Sequence, residues 1–185
     1  MFRISQYMRE LAHAEQTGHY PEVRERKARG PVVIWNLIRR CNLTCKHCYA
    51  LSADHDYVGE LTLPEVFTVM DDLKGFGVPA LILSGGEPLL RPDIFDISAQ
   101  ARKLGFYTGL STNGTLIDRP LAQRIAQEGF DYVGISLDGL KPTHDKFRRL
   151  DGAFDRSLAA VRFLAEFGVK VGLRFTMTSM NAHDL

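Results

Sequence analysis

Pro31-Val-Val-Ile-Trp-Asn-Leu-Ile-Arg-Arg-Cys41-Asn-Leu-Thr-Cys45-Lys-His-Cys48 is the run from which the rest of the chain is read. Val32, Val33, Ile34 and Trp35 are β-branched or aromatic, the composition of a strand. Cys41, Cys45 and Cys48 follow at once, and they are all the cysteines the chain has. Thiolates bind iron or zinc. A [4Fe–4S] cubane is ordinarily held by four of them, so three leave one iron open, much as a catalytic zinc keeps an open position for its substrate. A structural zinc with His47 as fourth ligand competes with that reading, although the adjacency of His47 to Cys48 makes joint ligation awkward. Buried, unliganded cysteines are a third reading.

Working outward, strands are expected at 32–38, 79–84, 106–111, 131–137 and 169–177, each rich in Val, Ile, Leu or aromatic residues. Helical patterns fill the gaps. Thr62 before Leu63-Pro64-Glu65 is a capping-box start with proline in the first turn, and Val66, Phe67, Val69, Met70 and Leu73 make its apolar stripe. Similar stripes run over 92–104, 118–128 and 155–167, each stopped by a glycine. Strand, helix and terminal glycine in repetition describe βαβ units, hence a parallel α/β sheet with helices outside. Five such strands fit an open doubly wound sheet or an incomplete barrel, and both put function at the C-terminal strand ends. Asn181-Ala-His-Asp-Leu185 looks like the opening of another helix, so the chain is expected to be truncated after its fifth strand. Ahead of residue 31, Ile4, Tyr7, Met8 and Leu11 share one face of a helix over 1–12. Pro21 to Gly30 reads as a linker whose Arg24, Arg26, Lys27 and Arg29 are solvated. The expected division is therefore 1–30, helix and basic linker, and 31–185, core.

The 185 residues carry 23 basic and 22 acidic side chains, a net charge of +1, so no global field favours nucleic acid or an anionic membrane. The N-terminus MFRISQYMRE lacks an apolar signal core, and no apolar run approaches the roughly 18 residues of a span. An odd cysteine count without a secretory signature argues for a metal role in a reducing compartment, and the cytoplasm is expected.

Other polar clusters mark the strand ends. Ser84-Gly85-Gly86-Glu87-Pro88 follows the second strand, Thr112-Asn113-Gly114 the third, and Ser136-Leu137-Asp138-Gly139 the fourth. Each alone reads as a turn or helix cap. Arg174 lies within the apolar Val171-Gly-Leu-Arg-Phe175, and a charge there needs a partner if buried. His144 to Arg149 reads as a solvated helix start, with Lys146, Arg148 or Arg149 alternatively meeting substrate carboxylates. His55 is read as surface.

Taken together, Cys-x3-Cys-x2-Cys after the first strand and Gly-Gly-Glu-Pro after the second resemble the radical S-adenosylmethionine (SAM) superfamily, from about Pro31 to the end of the chain. The resemblance implies a partial (β/α)6 TIM-like barrel, here with its first five strands. It also implies a [4Fe–4S] cluster on Cys41, Cys45 and Cys48, with its open iron chelated by the amino and carboxylate groups of SAM. By the same resemblance Gly85 and Gly86 let the backbone approach that ligand and Glu87 pairs with its ammonium. Thr112, Asn113, Ser136 and Asp138 line the SAM site, with Ser136 toward ribose or carboxylate. Arg174 reaches the SAM carboxylate and His47 contacts the adenine.

Three stretches, MFRISQYMRE, the run through Cys48-Tyr49, and Leu83-Ser-Gly-Gly-Glu-Pro-Leu-Leu-Arg-Pro-Asp-Ile-Phe95, resemble the NirJ-type subgroup of haem d1 biosynthesis. That subgroup converts two propionates of a sirohaem-derived tetrapyrrole to oxo groups, draws its electron from a protein such as a flavodoxin or ferredoxin, and carries further cysteines for a second cluster. This sequence has no fourth cysteine. The competing readings are another radical SAM reaction (a haem-precursor propionate decarboxylase or a peptide-modifying enzyme) and a non-catalytic Fe–S or zinc module. An isolated fragment that holds the cluster but lacks activity is also weighed.

Overall fold

A computed structural model describes residues 4–18 and 30–185. The basic cluster Arg24, Arg26, Lys27 and Arg29 lies outside the described residues. The elements are α1 (Ile4–Thr17), β1 (Val32–Asn36), α2 (Leu63–Gly75), β2 (Ala80–Ser84), α3 (Ile94–Lys103), β3 (Tyr107–Thr112), α4 (Arg119–Glu128), β4 (Tyr132–Ser136), α5 (Lys141–Arg148), α6 (Ala153–Glu166) and β5 (Val171–Arg174), with short 3-10 turns at Pro88–Leu90 and Ala182–Asp184.

The five strands form one parallel sheet in the order β1-β2-β3-β4-β5. A doubly wound sheet reverses its strand order at a switch point, whereas sequential order is how a barrel grows. The choice left open by sequence is thus settled for the barrel. One face of the sheet meets the helices: Leu81, Leu83, Leu110, Val133 and Ile135 pack with Val66, Met70, Ile97, Ile125 and Leu164. The register places Ile34, Ile82, Gly109 and Tyr132 in one row of the other, inner face, and Ser111, Gly134 and Gly172 in the next. Gly109, Gly134 and Gly172 leave the space that Ile82, Arg174 and Tyr132 occupy, and a Cβ on Gly134 would stand 2.6 Å from Arg174 Cδ.

Local signals explain the helix starts. The backbone N–H and hydroxyl of Thr62 both donate to the Glu65 carboxylate, at 2.8 and 2.7 Å. Asp118 accepts from Leu121 N at 2.8 Å. α4 closes on Gly129 in the left-handed region, φ 69°.

Three expectations are corrected. The fifth strand is shorter than 169–177, because Thr176 N donates to Asp138 Oδ1 at 2.8 Å and leaves the sheet. Arg174 therefore closes the strand at its C-terminal end. The stretch around His144 is helical as expected, but it ends α5 instead of starting a helix, and it buries His144, Phe147 and Arg148 where a solvated face was expected. Phe147 is the one large apolar side chain in Lys141–Arg148, so no apolar periodicity announced that burial. α6 starts at Ala153, because Asp145 of α5 accepts from Gly152 N and Phe154 N, both at 2.8 Å.

The chain leaving β1 is sewn to the loop after β2 by Gly86 N to Ile38 O (2.7 Å) and Glu87 N to Arg40 O (2.9 Å). A Cβ on Gly86 would lie 2.4 Å from the carbonyl oxygens of Arg39 and Arg40, which are backbone and cannot swing away. Gly86→Ala is expected to lower stability by about 1–3 kcal/mol in urea titration. Gly75→Ala, with open space around it, leaves the midpoint unchanged or raises it.

Candidate functional site

A cavity of about 390 Å³ opens at the C-terminal ends of the strands, the end at which parallel α/β folds place their sites. Cys41, Cys45, Cys48 and His47 line it together with Gly85, Gly86, Thr112, Asn113, Ser136 and Arg174. Of the twelve residues singled out by sequence, Glu87 and Asp138 alone do not.

The cysteine loop spans from β1 to the far side of this cavity. Cys41 is buried, and Cys45 and Cys48 are half-buried, all as free thiols. Each sulfur already takes a donor. Leu43 N (3.4 Å) and Asn113 Nδ2 (3.9 Å) point at Cys41, Ser52 N (3.5 Å) at Cys48, and Arg148 Nη1 (3.6 Å) at Cys45. Burial pushes the Cys41 thiol up to about 12, with the Leu43 N–H opposing, and burial likewise raises Cys45 against the pull of Arg148. A bound metal must displace those protons. Among the described residues no three His, Cys, Asp or Glu side chains converge on one ion. Three thiols lining one cavity could supply one thiolate to each of three irons of a multi-iron group.

Glu87 does not face the cavity as a free carboxylate, contrary to expectation. It is 0% exposed and accepts from Thr112 Oγ1 (2.7 Å), Asn113 N (2.9 Å) and Leu89 N (3.1 Å). Burial raises its pKa and these donors work against the rise. The hydroxyl of Thr112 is thereby committed to Glu87. Gly85 and Gly86, expected to clear room for a ligand, chiefly clear room for the Ile38 to Arg40 backbone. Asn113 extends the seam, donating to Asn42 Oδ1 at 2.9 Å.

Asp138 is also wholly buried and turned away from the cavity. It pairs with Arg148 Nη2, and His47 Nε2 lies 3.8 Å from the same carboxylate oxygen. Arg148, offered by sequence as a substrate contact, lines the cavity but is nearly buried and paired with Asp138. His47 stacks on Phe147 with centroids 4.2 Å apart and 17° between planes, so one ring face is covered while the ring still lines the cavity. Arg174 donates to Ser111, and Ser136 pairs with Arg174 in the sheet register.

Sequence reading missed several partners. Ser111 shares the inner face with Ser136 and Arg174, which strand alternation could have shown. Arg91 is 6% exposed and ties three segments, donating to Leu37 O and Leu61 O, both at 2.8 Å, and to Asp93. Nothing local in the sequence marks it.

The model of the Radical SAM superfamily matches residues 35–184. The chain belongs to the radical SAM superfamily. Its superfamily cofactors are a [4Fe–4S] cluster and SAM. Pre-heme d1 synthase of Dinoroseobacter shibae is 52% identical over 188 residues, covering 100% of this chain and 45% of that protein. Fe-coproporphyrin III synthase of Methanosarcina barkeri is 48% identical over 159 residues, covering 86% and 40%. The chain spans less than half the length of these curated relatives. Among solved structures, a histidine-tagged anSMEcpe with bound AdoMet matches with a TM-score of 0.68 and 26% identity, over 84% of this chain and 44% of that one. No helix among the described residues is long and apolar enough to cross a membrane.

Two outcomes follow from the buried acids. Glu87→Gln sets an amide donor against a backbone donor and is expected to lose about 1–3 kcal/mol of stability in urea titration of the metal-free protein; a neutral result would mean the carboxylate is free. His144 Nδ1 accepts from Asp138 N at 3.1 Å, and burial, aided by Arg148, holds this imidazole down to about 4. The unfolded chain binds that proton near the ordinary value of about 6.5. Stability should therefore fall as pH drops from about 6.5 toward 4 and be independent of this group above that window. Melting temperatures across pH would check it, with His144→Gln removing that part of the slope.

Proposed function

We propose that the chain is the radical-generating core of a haem d1 biosynthesis enzyme acting on a sirohaem-derived tetrapyrrole, whose propionate side chains it converts to oxo groups. The observation that carries this reading is the single cavity shared by three thiols and the small polar ends of β2 to β5. Its volume falls in the range of about 300–1,000 Å³ usual for small-molecule sites. The identity to Pre-heme d1 synthase supports the substrate class.

In this reading Cys41, Cys45 and Cys48 hold the cluster. When bound and reduced, the cluster would supply one electron to the sulfonium of SAM, chemistry that would yield methionine and a 5′-deoxyadenosyl radical able to take hydrogen from a substrate carbon. The chain's residues bind and orient. Arg174, at the mouth of β5, offers a guanidinium to the SAM carboxylate, and Ser136 beside it a hydroxyl to carboxylate or ribose. His47 presents its free ring face to the adenine. Gly85, Gly86 and Asn113 give the cavity a wall of backbone and amide. Glu87 and Asp138 act behind that wall as braces for the loops that carry it, and Thr112, on the wall, spends its hydroxyl on Glu87. The substrate, a reductant protein such as a flavodoxin or ferredoxin, and a cytoplasmic location complete the proposal.

A second reading, propionate chemistry on a haem precursor, is favoured by the 48% identity to Fe-coproporphyrin III synthase. Anaerobic incubation of reconstituted protein with SAM, dithionite and either tetrapyrrole separates the two. The expected result is 5′-deoxyadenosine formation that rises with the sirohaem-derived substrate, together with its mass change. Cys45→Ala should take up less iron and form no 5′-deoxyadenosine. Zinc uptake with no brown chromophore would falsify the radical reading, and turnover of the other precursor alone would select the second.

A further inference from the structure

The end of α5 grips three consecutive residues of the cysteine loop. Arg148 Nη1 points at Cys45 Sγ (3.6 Å), Phe147 O accepts from Lys46 N (2.9 Å), and the Phe147 ring stacks on His47 (4.2 Å). Arg148 Nη2 is meanwhile held by Asp138, whose other oxygen accepts from Thr176 N, and whose backbone N–H and C=O are taken by His144 and Asn181. Arg148 is 7% exposed and Asp138 0%. This guanidinium lines the cavity with both terminal nitrogens already committed, Nη1 to sulfur and Nη2 to Asp138, which leaves only the buried Nε without a partner. The ion pair with Asp138 does not account for the whole arrangement, since that pair would be complete without a second nitrogen directed at sulfur.

We propose that Arg148, braced by Asp138, is a positioning residue that holds the Cys45 segment and sets the reduction potential of the cluster bound there. The proposal rests on the assignment of Cys41, Cys45 and Cys48 as cluster ligands. An iron-bound thiolate keeps negative charge, and the cluster gains one more negative charge on reduction. A nearby cation that also donates to the ligand sulfur favours the reduced form, and hydrogen bonds to sulfur and local charge are the levers that set such potentials. Burial of both partners leaves these charges weakly screened. Asp138 pulls the other way, so the pair presents its positive end to sulfur and its negative end away from it. Removing either partner should move the potential, in opposite directions.

The test uses the full chain, reconstituted anaerobically with iron and sulfide, without SAM, and titrated with dithionite under EPR. Arg148→Gln is expected to keep the iron content and to shift the midpoint downward. At the wild-type midpoint its reduced-to-oxidised ratio should fall at least tenfold, a shift of about 59 mV for a one-electron couple. Asp138→Asn should shift the midpoint upward, and Arg148→Lys should lie between Arg148→Gln and wild type. Wild-type midpoints in Arg148→Gln and Asp138→Asn, or shifts of the same sign, overturn the proposal. If Arg148→Gln assembles no cluster, Arg148→Lys and Asp138→Asn decide by the same readout, and unchanged midpoints in both overturn it. Wild-type protein that takes up no cluster would instead sink the assignment of the cysteines.

Discussion

Glu87 has no exposure to water, and the cavity depends on where it sits. Its carboxylate joins the loop after β2 to the loop after β3 through Thr112 and Asn113, while its own N–H joins the chain leaving β1 through Arg40. A buried carboxylate without partners is costly enough to shift its protonation or unfold its surroundings. Donors to an ionised oxygen are among the stronger hydrogen bonds. The loops after β1, β2 and β3 therefore cannot separate without exposing an unpaired acid. The two preceding glycines are the steric condition for this seam, because any Cβ there would meet the carbonyls of residues 38 to 40.

Asp138 repeats the device on the other side of the cavity. It ties the loop after β4 to the chain leaving β5 through Thr176 and to α5 through Arg148 and His144. Both acids are turned inward, behind the wall they hold. Arg148 and Arg174 both line the cavity, Arg148 paired with Asp138 and Arg174 with the neutral Ser111 as its partner. An anionic group entering the cavity meets these cations without meeting either carboxylate.

Sequence patterning located what is periodic. The five strands, the capping box at Thr62 and the stops at glycine were all visible, because apolar alternation and cap chemistry act over a few residues. The cysteine spacing was equally local. What patterning missed acts over long separations or through polar burial. Cys45 and Arg148 are 103 residues apart, and Glu87 and Asn113 are 26 apart. The burial of α5, read from sequence as a solvated helix start, escaped because its buried face is built from a histidine, a phenylalanine and an arginine. Glu87 and Asp138 were expected to face a ligand, and both carboxylates are instead held by donors from other segments. Motif spacing identifies which acids belong to a site, but which way a carboxylate points is set by donors contributed from other strands.

The inner face of the sheet breaks a local rule in the service of the cavity. Glycine in a strand interior costs about 0.5–1 kcal/mol relative to alanine, yet Gly109, Gly134 and Gly172 occupy neighbouring inner rows of three central or edge strands. Their absent side chains make room for Tyr132 and for the stem of Arg174 to lie across the sheet, within 2.6 Å of where a Gly134 Cβ would be. A chain optimised for stability alone would fill this space with branched side chains, as closed barrels do. Keeping it small and polar toward the strand ends leaves a cavity that the apolar layer on the opposite face must stabilise. Departures from local propensity of this kind concentrate at functional sites. Here they run in register with Ser111, Ser136 and Arg174, so the strand pairing that builds the fold also aims these polar side chains into one space.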